Sequence, residues 1–181
     1  MVEPSSRNTY LAAIEQSGIL RDVETHPRGY RLIHPGETER YVYFIESGAF
    51  RVFFEHEDEE YITRLAYSGD LITALDSFLK GGPTTFYIEA LRSSKIKRAL
   101  KSDYLELIHS NPKLQDIWEE LLNDLVFQQL ERERDLLIPS PQERFDRVMR
   151  RSPKLFAEVP LKYIAAYLRM TPETLSRIIN S

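Results

Sequence analysis

At 181 residues with 42% apolar content, the chain has room for one or two domains and a real core. It has no cysteine, which excludes a disulfide scaffold, a cysteine nucleophile and Cys-ligated zinc or iron–sulfur centres. Its net charge of −4 is uneven: residues 141–181 hold eight Lys/Arg and four Asp/Glu out of totals of 24 and 28, so a basic end sits on an acidic body, the asymmetry expected where only the tail meets phosphate.

The N-terminus, MVEPSSRNTY, lacks an apolar h-region, and no apolar run approaches the ~18 residues of a membrane span. Cytoplasm is the expected compartment, with no membrane partner. Residues 7–20 place apolar side chains at Leu11, Ile14 and Ile19–Leu20 and predict a short helix closed near Gly18. From Arg28 the signal becomes β. The runs YRLIH, YVYFIES, AFRVFFEH, YITRLAY and FYIEAL are separated by turn signals at Pro35-Gly36, Ser47-Gly48, the acidic tip Glu55–Glu60, Ser68-Gly69-Asp70 and Gly81-Gly82-Pro83. Short strands at this spacing predict a closed antiparallel barrel or roll. A further strand, KIKRAL, leads to Ser102-Asp103, read as the cap of a helix, DYLELIHS.

Asn111-Pro112 opens the longest helical segment, about 26 residues or roughly 40 Å, ending before Pro139. Its apolar positions, Leu114, Ile117/Trp118, Leu121/Leu122, Leu125/Val126 and Leu130, form a stripe wider than a two-position seam. Such a helix suits burial on its own roll and on a partner copy at once. Ile117, Trp118, Leu121, Leu122 and Leu125 are the candidate dimer contacts; packing within one chain is the alternative. Ile138-Pro139-Ser140-Pro141 breaks the helix and reads as a hinge. A short helix, PQERFDRVMRR, follows with Phe145 and Val148/Met149 on one face, then a loop, SPKLFAEVP.

The last stretch, VPLKYIAAYLRMTPETLSRIIN, reads as two short helices and a tight turn. Thr171 is a good N-cap with Pro172 at the first helical position. Leu175, Ile178 and Ile179 make an apolar stripe for burial; Ile164 and Leu168 can meet Leu175 and Ile178, with the small Ala165 at the crossing. Glu173, Ser176, Arg177 and Asn180 share another face, a pattern that suits a DNA major groove. Thr171 and Thr174 join the DNA-facing set, and Lys162, Tyr163 and Arg169 are candidate phosphate contacts.

The order of these parts resembles the Crp/Fnr family of bacterial transcription regulators. The resemblance rests on HPGE (His34–Glu37), YFIESGAFRVF (Tyr43–Phe53) and SGD (Ser68–Asp70) in the roll, and on PQERF, VPLKYIAAYL and TPETLSRI in the tail. It implies an α+β fold with an N-terminal antiparallel β-roll (a double-stranded β-helix, cNMP-binding-like) over residues 1–111. A long dimerisation helix over 112–138 and a winged-helix-type helix-turn-helix over 139–181 complete it, the last stopping short of the family's usual length. By the same resemblance Arg177 reads a guanine, Glu173 accepts from a cytosine amino group and Ser176 contacts a neighbouring base or phosphate. The implied partners are double-stranded DNA, a second copy of the chain and RNA polymerase.

The family's cyclic-nucleotide cassette, a Gly-Glu pair and an Arg some ten residues on, is replaced by LITALDSFLKGGPTTFYIEAL, with Thr84 and Thr85 where the Arg falls. Without a guanidinium partner a buried phosphodiester loses its strongest contact, so cAMP is not expected as a ligand and no cofactor is predicted. Thr73, Gly81, Gly82, Thr84, Thr85 and Tyr87 are candidates for lining a pocket for another small polar effector; a purely structural loop is the alternative. The turn position often held by glycine is Arg169. The four histidines show no metal-ligand spacing, and no nucleophile elbow or phosphate loop is present, so no enzyme is expected. The competing reading is a small-molecule sensor or interaction module with a decayed DNA-binding tail.

Overall fold

The computed structural model describes residues 4–180; residues 1–3 and 181, the outer ends of the first and last expected units, lie outside the described residues. Helix α1 (Pro4–Gln16) precedes strands β1 (Glu24–His26), β2 (Arg31–Ile33), β3 (Tyr41–Ser47), β4 (Ala49–His56), β5 (Glu59–Tyr67), β6 (Leu71–Ile72), β7 (Tyr87–Ala90) and β8 (Ser94–Leu100). They form two four-stranded antiparallel sheets, ordered β1-β8-β3-β6 and β2-β7-β4-β5. Alternate residues point to opposite faces of a strand. Tyr43, Ile45, Phe50, Val52, Ile88 and Ile96 therefore meet in one core between the sheets. The runs read as strands are strands, and the chain is an α+β roll carrying a long helix. What the sequence did not foretell is short: β1, β6, helix α2 (Leu75–Lys80), and helix α6 (Leu155–Glu158) inside the expected loop SPKLFAEVP.

Two turns carry the roll's geometry. Glu57 and Asp58 both have positive φ, 50° and 62°, the two-residue turn whose twist matches the β4–β5 hairpin. Gly48, at φ 104°, joins β3 to β4 where a Cβ would collide with the Ser94 side chain and lie 2.7 Å from its Cα.

Helix α3 (Lys101–Ser110) starts before the expected Ser102-Asp103 cap. Leu100 takes the N-cap position without a side-chain bond, and Ser102 instead donates to Asp103 at 2.8 Å. Helix α4 (Pro112–Leu137) is capped as the sequence indicates: the Asn111 side chain accepts from Lys113 N at 3.1 Å and Leu114 N at 3.4 Å. Its first half packs on the roll. Leu114, Ile117, Trp118 and Leu121 join Tyr10, Ile14, Phe44, Phe78, Tyr104 and Ile108 in a second core. The Trp118 ring stands edge-on to Tyr104 at 5.6 Å and to Phe78 at 6.1 Å. Three expected dimer contacts, Ile117, Trp118 and Leu121, thus face their own roll, and Leu122 and Leu125 are half-buried. The exposed apolar residues of α4 lie later, at Val126, Phe127, Leu130, Leu136 and Leu137.

Helices α5 (Pro141–Arg151), α7 (Leu161–Tyr167) and α8 (Pro172–Ile179) complete the tail. No strand follows β8 among the described residues, so the expected wing is not seen there. Phe145, Val148, Leu155, Val159, Ile164, Ala165, Leu168 and Leu175 form a third core that includes Ala49 and Leu91 of the roll; Met149, expected on the same face as Val148, is exposed. The tail therefore shares a core with the roll. The expected hinge is a clamped corner. Asp135, 1% exposed, accepts from Arg147 at 2.7 Å and Arg151 at 2.5 Å, and Glu131 accepts from Arg147 at 2.8 Å.

Gly48→Ala should lower unfolding stability by ~2–4 kcal/mol, combining the strained φ with the Ser94 collision, while leaving the far-UV spectrum native-like. Urea denaturation checks this; a loss under about 0.5 kcal/mol would contradict the close approach.

Candidate nucleic-acid interface

The start of α8 is built as its sequence dictates. Thr171 Oγ1 accepts from Thr174 N at 3.2 Å and pairs with Thr174 Oγ1 at 3.1 Å, and Pro172 follows at the first helical position. Leu175 is fully buried and Ile178 partly, on Ile164, Ala165 and Leu168 of the preceding helix and turn. Ile179, expected to be buried with them, is 42% exposed, because the buried stripe ends one residue earlier.

Glu173, Ser176, Arg177 and Asn180 are all exposed on the other face. Glu173, in the first turn, has its carboxyl held below the ordinary range by its own backbone N–H, then by Thr171 and the charge of Arg177. It is therefore a pure acceptor at neutral pH. Asn180 is less free than the sequence indicates: its side-chain amide donates to Ser176 O at 2.8 Å and closes the last turn. Thr171 and Thr174 are likewise engaged in capping. Glu173, Ser176 and Arg177 remain as the outward-facing set.

The turn between α7 and α8 explains Arg169. Met170 N donates to Ala165 O at 3.0 Å and Arg169 N to Ala166 O at 3.1 Å, a Schellman closure with Arg169 in the left-handed position at φ 54°. The non-glycine residue costs about 1 kcal/mol there. Its guanidinium lies over the Tyr61 ring of β5 at 4.9 Å, and its carbonyl accepts from Arg144 at 3.3 Å. Lys162 is exposed, its ammonium 4.5 Å above the Tyr163 ring. Arg132 of α4, which the sequence did not single out, donates to Tyr167 O of α7 and, at 3.0 Å, to Ile62 O of β5. An arginine in a polar run of a long helix carries no local signal of such a role.

The expected effector residues divide. Thr84, Thr85 and Tyr87 line one open cleft of about 450 Å³ with Pro35, Gly36, Glu55 and Pro83. Thr73 lies elsewhere, donating to Tyr41 O at 3.0 Å; Gly81 ends α2, and the Gly82 carbonyl accepts from Ser77 Oγ at 2.5 Å. Tyr87 OH reaches Glu55 at 3.3 Å. The residue missed here is Asp76. Its carboxylate accepts from Thr84 Oγ1 at 2.7 Å, Thr85 N at 2.9 Å and Thr85 Oγ1 at 3.3 Å. Burial pushes its pKa up, but these bonds outweigh it and leave the group below its ordinary value. Glu39, 2% exposed, accepts from Ala74 N at 3.0 Å and Tyr41 N at 2.9 Å, so it caps α2; burial raises its pKa. No group of three His, Asp or Glu is arranged to hold a metal ion among the described residues. No helix there is long and apolar enough to cross a membrane.

Residues 23–111 match the cyclic nucleotide-binding domain family. No curated protein matches the chain by sequence. Several solved structures share its fold across roll, long helix and tail. FixK2 from Bradyrhizobium japonicum superposes with a TM-score of 0.71 at 18% identity, over 88% of this chain and 82% of its own. The c-di-GMP responsive global regulator CLP of Xanthomonas campestris gives 0.67 at 14%, over 94% and 90%. The Thermus thermophilus catabolite activator protein gives 0.55 at 23%, over 99% and 83%. The roll thus matches the cyclic nucleotide-binding domain family, and the whole chain shares its fold with these solved structures.

Proposed function

We propose that the chain is a sequence-specific, DNA-binding transcription regulator acting as a homodimer on a near-palindromic site. The observation that carries this reading is the construction of α8. One face is locked into the third core, the start is capped, and Glu173, Ser176 and Arg177 project outward together. A rigid helix with paired acceptor and guanidinium on its free face fits cytosine and guanine edges in a major groove. The local excess of basic residues over 141–181 supplies attraction to phosphate. The setting is the cytoplasm, with RNA polymerase as the further partner; no catalytic step is part of the reading.

Dimerisation falls to the second half of α4. Val126, Leu130 and Leu137 follow one another at i, i+4 and i+11, on one side of the helix, with Phe127 beside them; all four are exposed. Pairing there would set two α8 helices roughly 34 Å apart, one turn of duplex. Cyclic AMP is not the signal in this reading. By the family resemblance Thr84 and Thr85 stand where the cyclic phosphate is held, and Asp76 already occupies their donors with a carboxylate.

Three measurements check these points. Selection from random duplex pools should enrich one near-palindromic sequence with the wild type, and Arg177→Ala should lose ~1–3 kcal/mol of its discrimination at the guanine position while remaining dimeric. Unchanged specificity in the variant would sink the mechanism, and no enrichment by the wild type would favour a decayed tail. Leu130→Glu should shift the particle from dimer to monomer in sedimentation; a persistent dimer would place the seam elsewhere. Titrating extensively dialysed protein with cAMP should give no saturable heat; a saturable isotherm overturns the exclusion.

A further inference from the structure

The reading face of α8 is open, but the turn before it is held by the roll. Helix α7 lies along β5. Arg169, in that turn, stacks on Tyr61, and Arg132 ties the end of α7 to the Ile62 carbonyl one residue further along the same strand. The strand continues into an acidic tip: Glu57, Asp58 and Glu59 are all exposed. Glu59 accepts from Tyr61 OH at 3.0 Å, so the carboxylate and the ring under Arg169 form one unit. Glu60 takes both guanidinium nitrogens of Arg51, whose Cζ lies 5.3 Å from the Tyr163 ring centroid, and Lys162 contacts the same ring. Lys162 also lends positive charge to the surroundings of Glu60, and the Arg51 hydrogen bond, foremost, keeps that carboxyl below its ordinary range.

Arg169 and Lys162 are therefore tail cations that act on the hairpin's aromatic and acidic side chains, the first on Tyr61 and the second on Glu60. A phosphate brought to Arg169 would approach the carboxylates of Glu60 and Glu59, one and two residues from the stacking ring. At physiological salt the screening length is about 8 Å, so repulsion at that range is only partly screened. Glu60 differs from the rest of the tip: it is needed by the buried Arg51, and so belongs to the roll as much as to the contact.

We propose that the β4–β5 hairpin is a built-in brake on DNA binding, with Tyr61 and the acidic tip competing with backbone phosphate for Arg169 and Lys162. The brake sets affinity and leaves base preference to α8. A signal that lifts the hairpin from α7 raises affinity without altering the sequence read. This rests on the DNA-binding reading above.

The test uses the full chain and a labelled duplex bearing the selected site, with anisotropy followed over a range of salt. Two independent releases are compared: Tyr61→Ala, and a tip variant combining Glu57→Asn, Asp58→Asn and Glu59→Gln, which spares Glu60 and Arg51. Each should bind roughly three- to tenfold tighter, and log K should fall more steeply with log salt, by about one unit of slope for each cation returned to phosphate. Tyr61→Phe keeps the ring under Arg169 and should bind like the wild type. Thermal melts report whether Tyr61→Ala is folded, and the tip variant stands in its place if it is not. Equal or weaker binding by the folded releases, beside a wild type that binds, overturns the brake and leaves the DNA-binding reading intact. If neither wild type nor releases bind any duplex, both fall together.

Discussion

Two charges buried one turn apart on α4 hold the parts of this molecule in register. Arg132 and Asp135 are 8% and 1% exposed and share a face at i, i+3. A buried charge is tolerated only when its partners are in place. Here those partners come from every unit the helix joins. Arg132 takes a carbonyl from β5 and one from α7, with its Cζ 3.5 Å from the Tyr167 ring centroid, and Asp135 takes two arginines from α5. Displacing roll, corner or tail leaves one of the two uncompensated. The direction in which α8 points is therefore set by the last turns of α4, well away from α8 itself.

The roll has a comparable internal logic. Glu39 caps α2 from the edge of β3, and Asp76 ties the same helix to the residues leading into β7. The turn of chain around Gly81 and Gly82 is thus pinned at both ends by carboxylates of the chain itself. On its other side α2 presents Phe78 to Trp118 of α4. A continuous packed path runs from this pinned loop, through α2 and the aromatic core, to the helix that carries the tail.

Much of this was legible in the sequence, and the reasons for the failures are specific. Runs such as Tyr41–Ser47 and Ala49–His56 announce themselves because near-continuous apolar, β-branched and aromatic side chains, buried on both faces, are bounded by turn signals. Asn111-Pro112 and Thr171-Pro172 each mark a helix start because cap and first-turn proline coincide, whereas Ser140, legible only as part of the break after α4, proves to cap α5. Strands β1 and β6 and the one-turn helix α6 have no period to read and, unlike β2 within YRLIH, no longer apolar run around them. Apolar spacing on α4 shows which residues want burial, not against what; Ile117, Trp118 and Leu121 pack on their own roll. Side chains that work across long sequence separations, Arg132 and Asp76 above all, leave no local pattern. Arg169 was seen as an exception to glycine, but its contact with Tyr61 depends on how tail and roll dock.

The aromatic joint between α2, α3 and α4 has one more property. Trp118 is the only tryptophan in the chain, and its indole stands among Phe78 and Tyr104 at the meeting of those three helices. Ultraviolet emission excited selectively at tryptophan therefore comes from this one place. The molecule carries an intrinsic optical probe at the point where the roll grips the long helix. Any rearrangement that slides α2 against α4 alters the polarity around a single fluorophore, with no label to perturb the packing.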